Sequence, residues 1–365
     1  MKEEGGMGTT AEAALLCSTV AREILLCLSV EDLFNCARYD PLWEELALPL
    51  LSKRLRFFLL CEDKIDPPVV SKAFTTELRA RLRIAERASR SPALAIAFCS
   101  GTRYDTSSLS SSFPDEVSVV RIDVRCPIWV QQHGLEERQA ACLCLLVLYE
   151  APGAIIECEW SPFVACRRPA AKAALFNRLR RTMRPDCFEP TYHHPTETCP
   201  VRFALYATSA FSKTVFKSSQ RMDRMASCVL WTSCLRVLSP PSRSRFLPHA
   251  YWGAMIFGES VRATTIKFRE RTALPRMYEH LEDMRCAFGD LEGALVLVLQ
   301  ENDLSTFVME TVCNIFAGAT AIVGTSCGLS LDENVFVATE PHEASGASMC
   351  LKSPVVVALL DTFKT

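Results

Sequence analysis

The sequence predicts an α+β protein, with a small three-helix unit followed by a larger mixed α/β region. Three observations predict it. Aliphatic residues recur every four positions from Leu16 through Val20 and Ile24 to Leu28, the spacing of one helix face. From Pro92 onward, short apolar runs of strand length dominate. Residues 294–323 read as a single strand–helix–strand unit.

Composition bounds the rest. The chain has 365 residues and 49% apolar side chains, enough for two or three domains with real cores. Forty basic against 42 acidic residues leave a net charge of -2, which gives no reason to expect a nucleic acid or an acidic membrane as partner. The longest apolar run, Ala140 to Tyr149, is half of the roughly 20 residues a membrane span needs. Glu3 and Glu4 stand where a secretory signal carries positive charge, so the expected setting is inside the cell. Eighteen cysteines include no CxxC pair. Cys27, Cys36, Cys142, Cys144 and Cys313 fall within apolar segments, where cysteine acts as a small buried hydrophobe, and they read as reduced thiols.

In chain order, residues 1–10 form a polar, Gly-rich flexible tail and residues 11–56 the helical unit. Within that unit, Ser29 followed by Glu31 and Asp32 caps a second helix through Leu33, Phe34 and Ala37. Asp40-Pro41 ends that helix and opens a third, with Trp43, Leu46, Leu50 and Leu51. So small a unit cannot bury all of these side chains internally, so an exposed apolar face is expected. Residues 57–92 read as a helical linker. The mixed region, 93–365, has strands expected at 93–99, 117–124, 143–149, 155–160, 201–207, 251–257, 294–299, 319–323 and 355–360. Between the strands ending at Leu299 and beginning at Ala319, Asp303 is the expected N-cap and Gly318 the stop of a helix carrying Leu304, Phe307, Val308, Val312, Ile315 and Phe316. Residues 93–149 follow the same order with only a Ser-rich connector, Ser107 to Ser112, so the pattern suggests a diverged duplication. Ser239-Pro-Pro-Ser-Arg-Ser-Arg reads as a surface loop.

The first unit resembles the F-box. Leu16, Val20, Ile24, Leu25, Leu28, Ser29, Asp32, Leu33 and Trp43 fall on the family's places without a gap, whereas Cys17 replaces the usual proline and Tyr39-Asp40 a common Val-Cys pair. The bland alternative is a helical hairpin whose leucines are core. The remainder resembles the FIST sensory domain, through Gly293 to Leu299, the helix ending at Phe316, Ala321 to Gly328, Ala344 to Cys350 and Pro354 to Leu360. The chain stops at Thr365, where the family continues, so the resemblance implies a shortened or partial domain.

Together the resemblances imply a non-catalytic receptor of a Skp1-cullin-F-box ubiquitin ligase, cytoplasmic or nuclear, that recruits protein substrates for ubiquitination and proteasomal degradation. Leu16, Val20, Ile24, Leu25, Leu28, Leu33 and Trp43 would contact the Skp1-type linker. The alternative is a small-molecule-sensing FIST-type protein, with Gly324, Thr325, Ser326, Cys327 and Gly328 lining a ligand pocket at a strand end. The preferred reading of those five residues is a tight turn that uses glycine for positive φ. Cys327 as a nucleophile would need a base, and only His342 is near in sequence, so no catalytic residue is assigned. Cys187, His193, His194 and Cys199 are zinc-type ligands, but they sit at a non-standard spacing within a proline-rich stretch. No metal or cofactor is assigned. Arg178, Arg180, Arg181 and Arg184 read as a solvated helix face, with a nuclear signal or a contact to an acidic degron as the minority reading.

Overall fold

A computed structural model describes residues 18–63, 69–100, 105–124, 128–132, 139–150, 154–162, 201–208, 227–232, 235–237, 250–257, 260–301, 304–327 and 350–361. The fold is mixed α+β, with seven helices and three sheets among the described residues. No helix among them is long and apolar enough to cross a membrane.

The helical unit comprises α1 (18–26), α2 (Val30–Tyr39) and α3 (Pro41–Arg54). Its boundaries follow the capping residues expected from sequence. Ser29 Oγ accepts from Asp32 N at 3.1 Å, and Asp40 Oδ1 accepts from Leu42 N at 2.8 Å, each satisfying a helix N–H that has no partner within the helix.

The next segment corrects the helical-linker expectation. Phe57–Glu62 is strand β1, and only Lys72–Arg87 is helix, α4. β1 pairs antiparallel with β6 (Leu143–Tyr149), which pairs with β2 (Pro92–Ser100), and β2 runs parallel to β3 (Ser118–Val124). The connector between β2 and β3 is the four-residue helix α5, Ser107–Ser110.

The same plan recurs twice. In the middle sheet, β7 (Ile155–Pro162) pairs antiparallel with β11 (Ala250–Phe257). β11 in turn pairs antiparallel with β8 (Val201–Thr208), which runs parallel to β9 (Ser227–Thr232). In the last, β12 (Arg262–Phe268) pairs antiparallel with β15 (Val355–Asp361), which is antiparallel to β13 (Leu295–Glu301), itself parallel to β14 (Ala321–Cys327). Each repeat therefore orders its strands first, last, second, third, with the second and third parallel. The expected duplication is a triplication, of which the sequence pattern marked only two copies.

Strands also cross between repeats. β4 (Ile128–Gln132) leaves the first repeat and pairs antiparallel with β14, carrying β5 (Gln139–Ala141) on its outer edge. β10 (Leu235–Val237) leaves the second repeat and pairs antiparallel with β3.

Two cores fix the layers. One joins α2, α3 and α4 to one face of the first sheet, including Leu33, Phe34, Leu51, Phe58, Leu78, Ala97 and Leu145. The other joins α6 (Leu274–Phe288) and α7 (Thr306–Ile315) to one face of the third sheet, through Met277, Leu281, Val298, Val312 and Val357. The opposite sheet faces are buried as well, as Ile96 and Leu297 show, and β4 and β14 of the third sheet touch β2, β6 and β3 of the first. The two sheets thus pack back to back with helices outside. The helical unit shares its core with the first sheet, so residues 11–56 are not an independent domain in their described part.

Candidate functional site

α1 divides its residues between two faces. Ala21 and Leu25 point into the core, Leu25 fully buried, while Val20 is 56% and Ile24 49% exposed on one flank of the helix and Leu26 47% exposed on the opposite flank. Val20 and Ile24 are one helical turn apart and stand side by side. Tyr39 and Leu42, at the corner between α2 and α3, are exposed as well. A small unit showing five large apolar side chains to solvent has the makings of a docking surface.

This burial splits the residues expected to contact a linker. Val20 and Ile24 are available. Leu28 and Trp43 are half-buried against the core and offer an edge only. Leu25 and Leu33 are fully buried in the chain's own core, so they are corrected from partner anchors to core residues. Leu16 lies outside the described residues. Cys27, expected inside, is exposed, whereas Cys144 and Cys313 are buried as expected.

A charged cluster fixes the unit's orientation. Arg81 on α4 is 7% exposed and pairs with Glu31 of α2 and with Glu77 one turn away at 2.8 Å; Arg38 of α2 reaches Glu77 at 2.5 Å. Its guanidinium also lies 5.5 Å from the Phe34 ring centre and 5.7 Å from that of Phe58, joining α2 and β1 through cation–π contacts. Burial alone would lower the Arg81 pKa and raise that of Glu77. The hydrogen bonds and charges outweigh it in both, so Arg81 is raised and Glu77 lowered.

A cleft of about 1140 Å³ opens where the helical unit meets the first and third repeats, lined by Leu28, Arg56, Arg262, Asp290, Gly293 and Asp361 among others. Asp361, 1% exposed, accepts from Arg56 Nη1 at 2.8 Å and Arg262 Nη2 at 2.7 Å, tying β1's entry to β12. Burial lowers the Arg56 pKa, opposed by Asp361. Gly293, at φ +84°, leaves room for Arg56, whose Nη1 would stand 1.8 Å from a Cβ there. With its arginines tied to carboxylates and backbone carbonyls, the cleft is built as a joint between repeats.

The expected ligand-binding turn is corrected. Gly324, Thr325 and Ser326 are interior residues of β14; Thr325 and Ser326 are fully buried, and Gly324 pairs with Val298 on one side and Trp129 on the other. A glycine stands at 324 because Met309 of α7 packs onto it, its Sδ 2.2 Å from where a Cβ would be. Cys327 ends the strand, its side chain outside the described residues, as are Gly328 and His342. The zinc-type ligands Cys187, His193, His194 and Cys199, the arginines at 178–184 and the Ser-Pro-rich loop after Ser239 also lie outside them. Sequence reasoning missed Leu26, Tyr39 and Leu42 as exposed positions. Their signal was the mismatch between an apolar side chain and the inward phase of its helix.

No family model matches the chain, nor does any curated protein. Among solved structures it is similar to a cyanuric acid hydrolase from A. caulinodans, at 12% identity and a TM-score of 0.42, over 85% of this chain and 99% of that one. The expectation of a non-catalytic receptor is withdrawn. A likeness at this level brings neither the hydrolase's activity nor its substrate to this chain.

Proposed function

We propose that this chain is a substrate-recognition subunit of a Skp1-cullin-F-box ubiquitin ligase, working in the cytoplasm or nucleus. The observation that supports it is the exposed pair Val20 and Ile24, one helical turn apart on α1, within the segment whose sequence resembles the F-box. An amphipathic helix that keeps a second apolar face in water is suited to lie in a groove on a partner. The linker would take this face, and the three-repeat region, fixed to it through Arg81 and Asp361, would hold the protein substrate at a set distance from the rest of the ligase.

The test uses the full chain and a purified Skp1-type linker. Val20→Asp with Ile24→Asp is expected to weaken binding about 100-fold or more, since anchor residues contribute about 2 kcal/mol each. Both positions are exposed, so the thermal unfolding midpoint should hold. Wild-type failure to bind, or undiminished binding by the double variant, would overturn the proposal. Leu33→Asp is unsuitable, because it places a charge inside the core and loses the fold with the contact.

A further inference from the structure

Cys61 of β1 and Cys144 of β6 stand directly opposite each other in an antiparallel pair. Two hydrogen bonds fix the kind of pair. Tyr149 N donates to Arg56 O at 2.9 Å, which makes positions 149, 147, 145 and 143 the ones that bond toward β1. The register with β1 has no shift from Leu148 to Leu143, and Ser100 N donates to Cys142 O at 2.8 Å on the other side, so residue 144 turns its peptide groups toward β2, while Cys142 at the strand's entry bends its N–H back to Glu62 O at 2.8 Å. Cys61 and Cys144 therefore form a non-hydrogen-bonded pair, whose Cα atoms approach to about 4.5 Å. That separation lies within the range a disulfide accepts. Directly opposed residues of an antiparallel pair project to the same face of the sheet, so the two thiols are neighbours.

Exposure assigns the roles. Cys61 is half-buried and reachable from solvent, whereas Cys144 is fully buried. The neighbouring Cys61 side chain and, after it, burial raise the Cys144 pKa. Neighbouring thiols are engaged elsewhere: Cys142 Sγ contacts Asp63 O at 3.4 Å, and Cys99 Sγ contacts Ala97 O at 3.9 Å. Cys99 belongs to the helix-covered core on the opposite face of the sheet from Cys144.

We propose that Cys61 and Cys144 are a peroxide-responsive pair that forms a reversible cross-strand disulfide. Hydrogen peroxide transfers one oxygen to the Cys61 sulfur, giving a sulfenic acid and water. The Cys144 sulfur then attacks the Cys61 sulfur, the S–O bond breaks, and a second water leaves with the thiol proton. Two thiols lose two electrons in total and one peroxide gains them. A dithiol reductant restores both thiols by exchange. The bond would tie β1, the strand that follows α3, to the centre of its sheet.

The test treats the reduced full chain with hydrogen peroxide, blocks the remaining thiols by alkylation, and maps non-reduced peptides by mass spectrometry. The expected product is one cross-linked pair joining the Cys61 and Cys144 peptides, lost on adding dithiothreitol, with a higher thermal unfolding midpoint for the oxidised chain. In Cys144→Ser the cross-link should vanish and Cys61 should go on to sulfinic acid. Wild-type mapping stands whether or not that variant folds. Recovery of both cysteines as alkylated thiols, of Cys61 as sulfinic acid in the wild type, or of Cys61 joined to Cys99 or Cys142 would overturn the proposal.

Discussion

A methyl group on Gly324 would sit 2.2 Å from the Met309 sulfur and 3.0 Å from Leu304 Cδ2, which makes this position a direct gauge of how α7 seats on the third sheet. Gly324→Ala should destabilise the chain by about 1 kcal/mol, because the obstructing atom ends a flexible side chain that gives way partly. Met309→Ala alone should cost about 2 kcal/mol or more for the cavity it leaves. With Met309 shortened, the added methyl has room, so the double variant should be more stable than the two single losses predict. Denaturant unfolding of the four proteins measures the coupling; an equal cost of Gly324→Ala in both backgrounds would contradict this packing. At this scale the sequence was read partly wrong. Glycine, threonine and serine after an apolar run look like a turn, and only the packing of α7 shows that glycine is needed inside a strand.

At the scale of elements, α2 and α4 are joined through Arg81, which pairs with Glu31 and Glu77 over the Phe34 and Phe58 rings. Arg81→Met keeps the apolar stem and strands the carboxylates. The expected loss is about 2–3 kcal/mol, the low end for a broken buried pair because both carboxylates reach water. Stability should also depend on acid. The folded pKa of Glu77 lies below its ordinary 4.5, so its contribution is present above that value and fades as pH falls through the lowered folded one. Arg81→Met should flatten this acid limb in pH-dependent unfolding, and an unchanged limb would contradict the assignment. Strands buried on both faces were legible, and Leu143–Tyr149 matches the strand expected there residue for residue. β1 was not, since Phe57 to Cys61 is a five-residue apolar run beside a helix and its period suits either state. β12 was hidden by its arginine, threonines and lysine.

For the whole molecule, the three-repeat plan rests on pairings between residues about a hundred positions apart, such as Phe57 with Leu148 and Arg262 with Asp361, which local periodicity does not record. The proposed docking face was half legible for a similar reason. Ile24 and Leu25 are both aliphatic neighbours on α1, and only the position of the core decides that one faces water and the other is buried. The central claim is that α1 meets a Skp1-type linker through its outward face while the repeats stay as they are. Hydrogen exchange of the full chain with and without the linker tests it most directly. Binding should slow exchange at residues 18–28 and around Tyr39 to Trp43, and leave the strands of the third repeat unchanged. Linker-dependent protection confined to residues 262–361, or none at α1 at saturating linker, would contradict it.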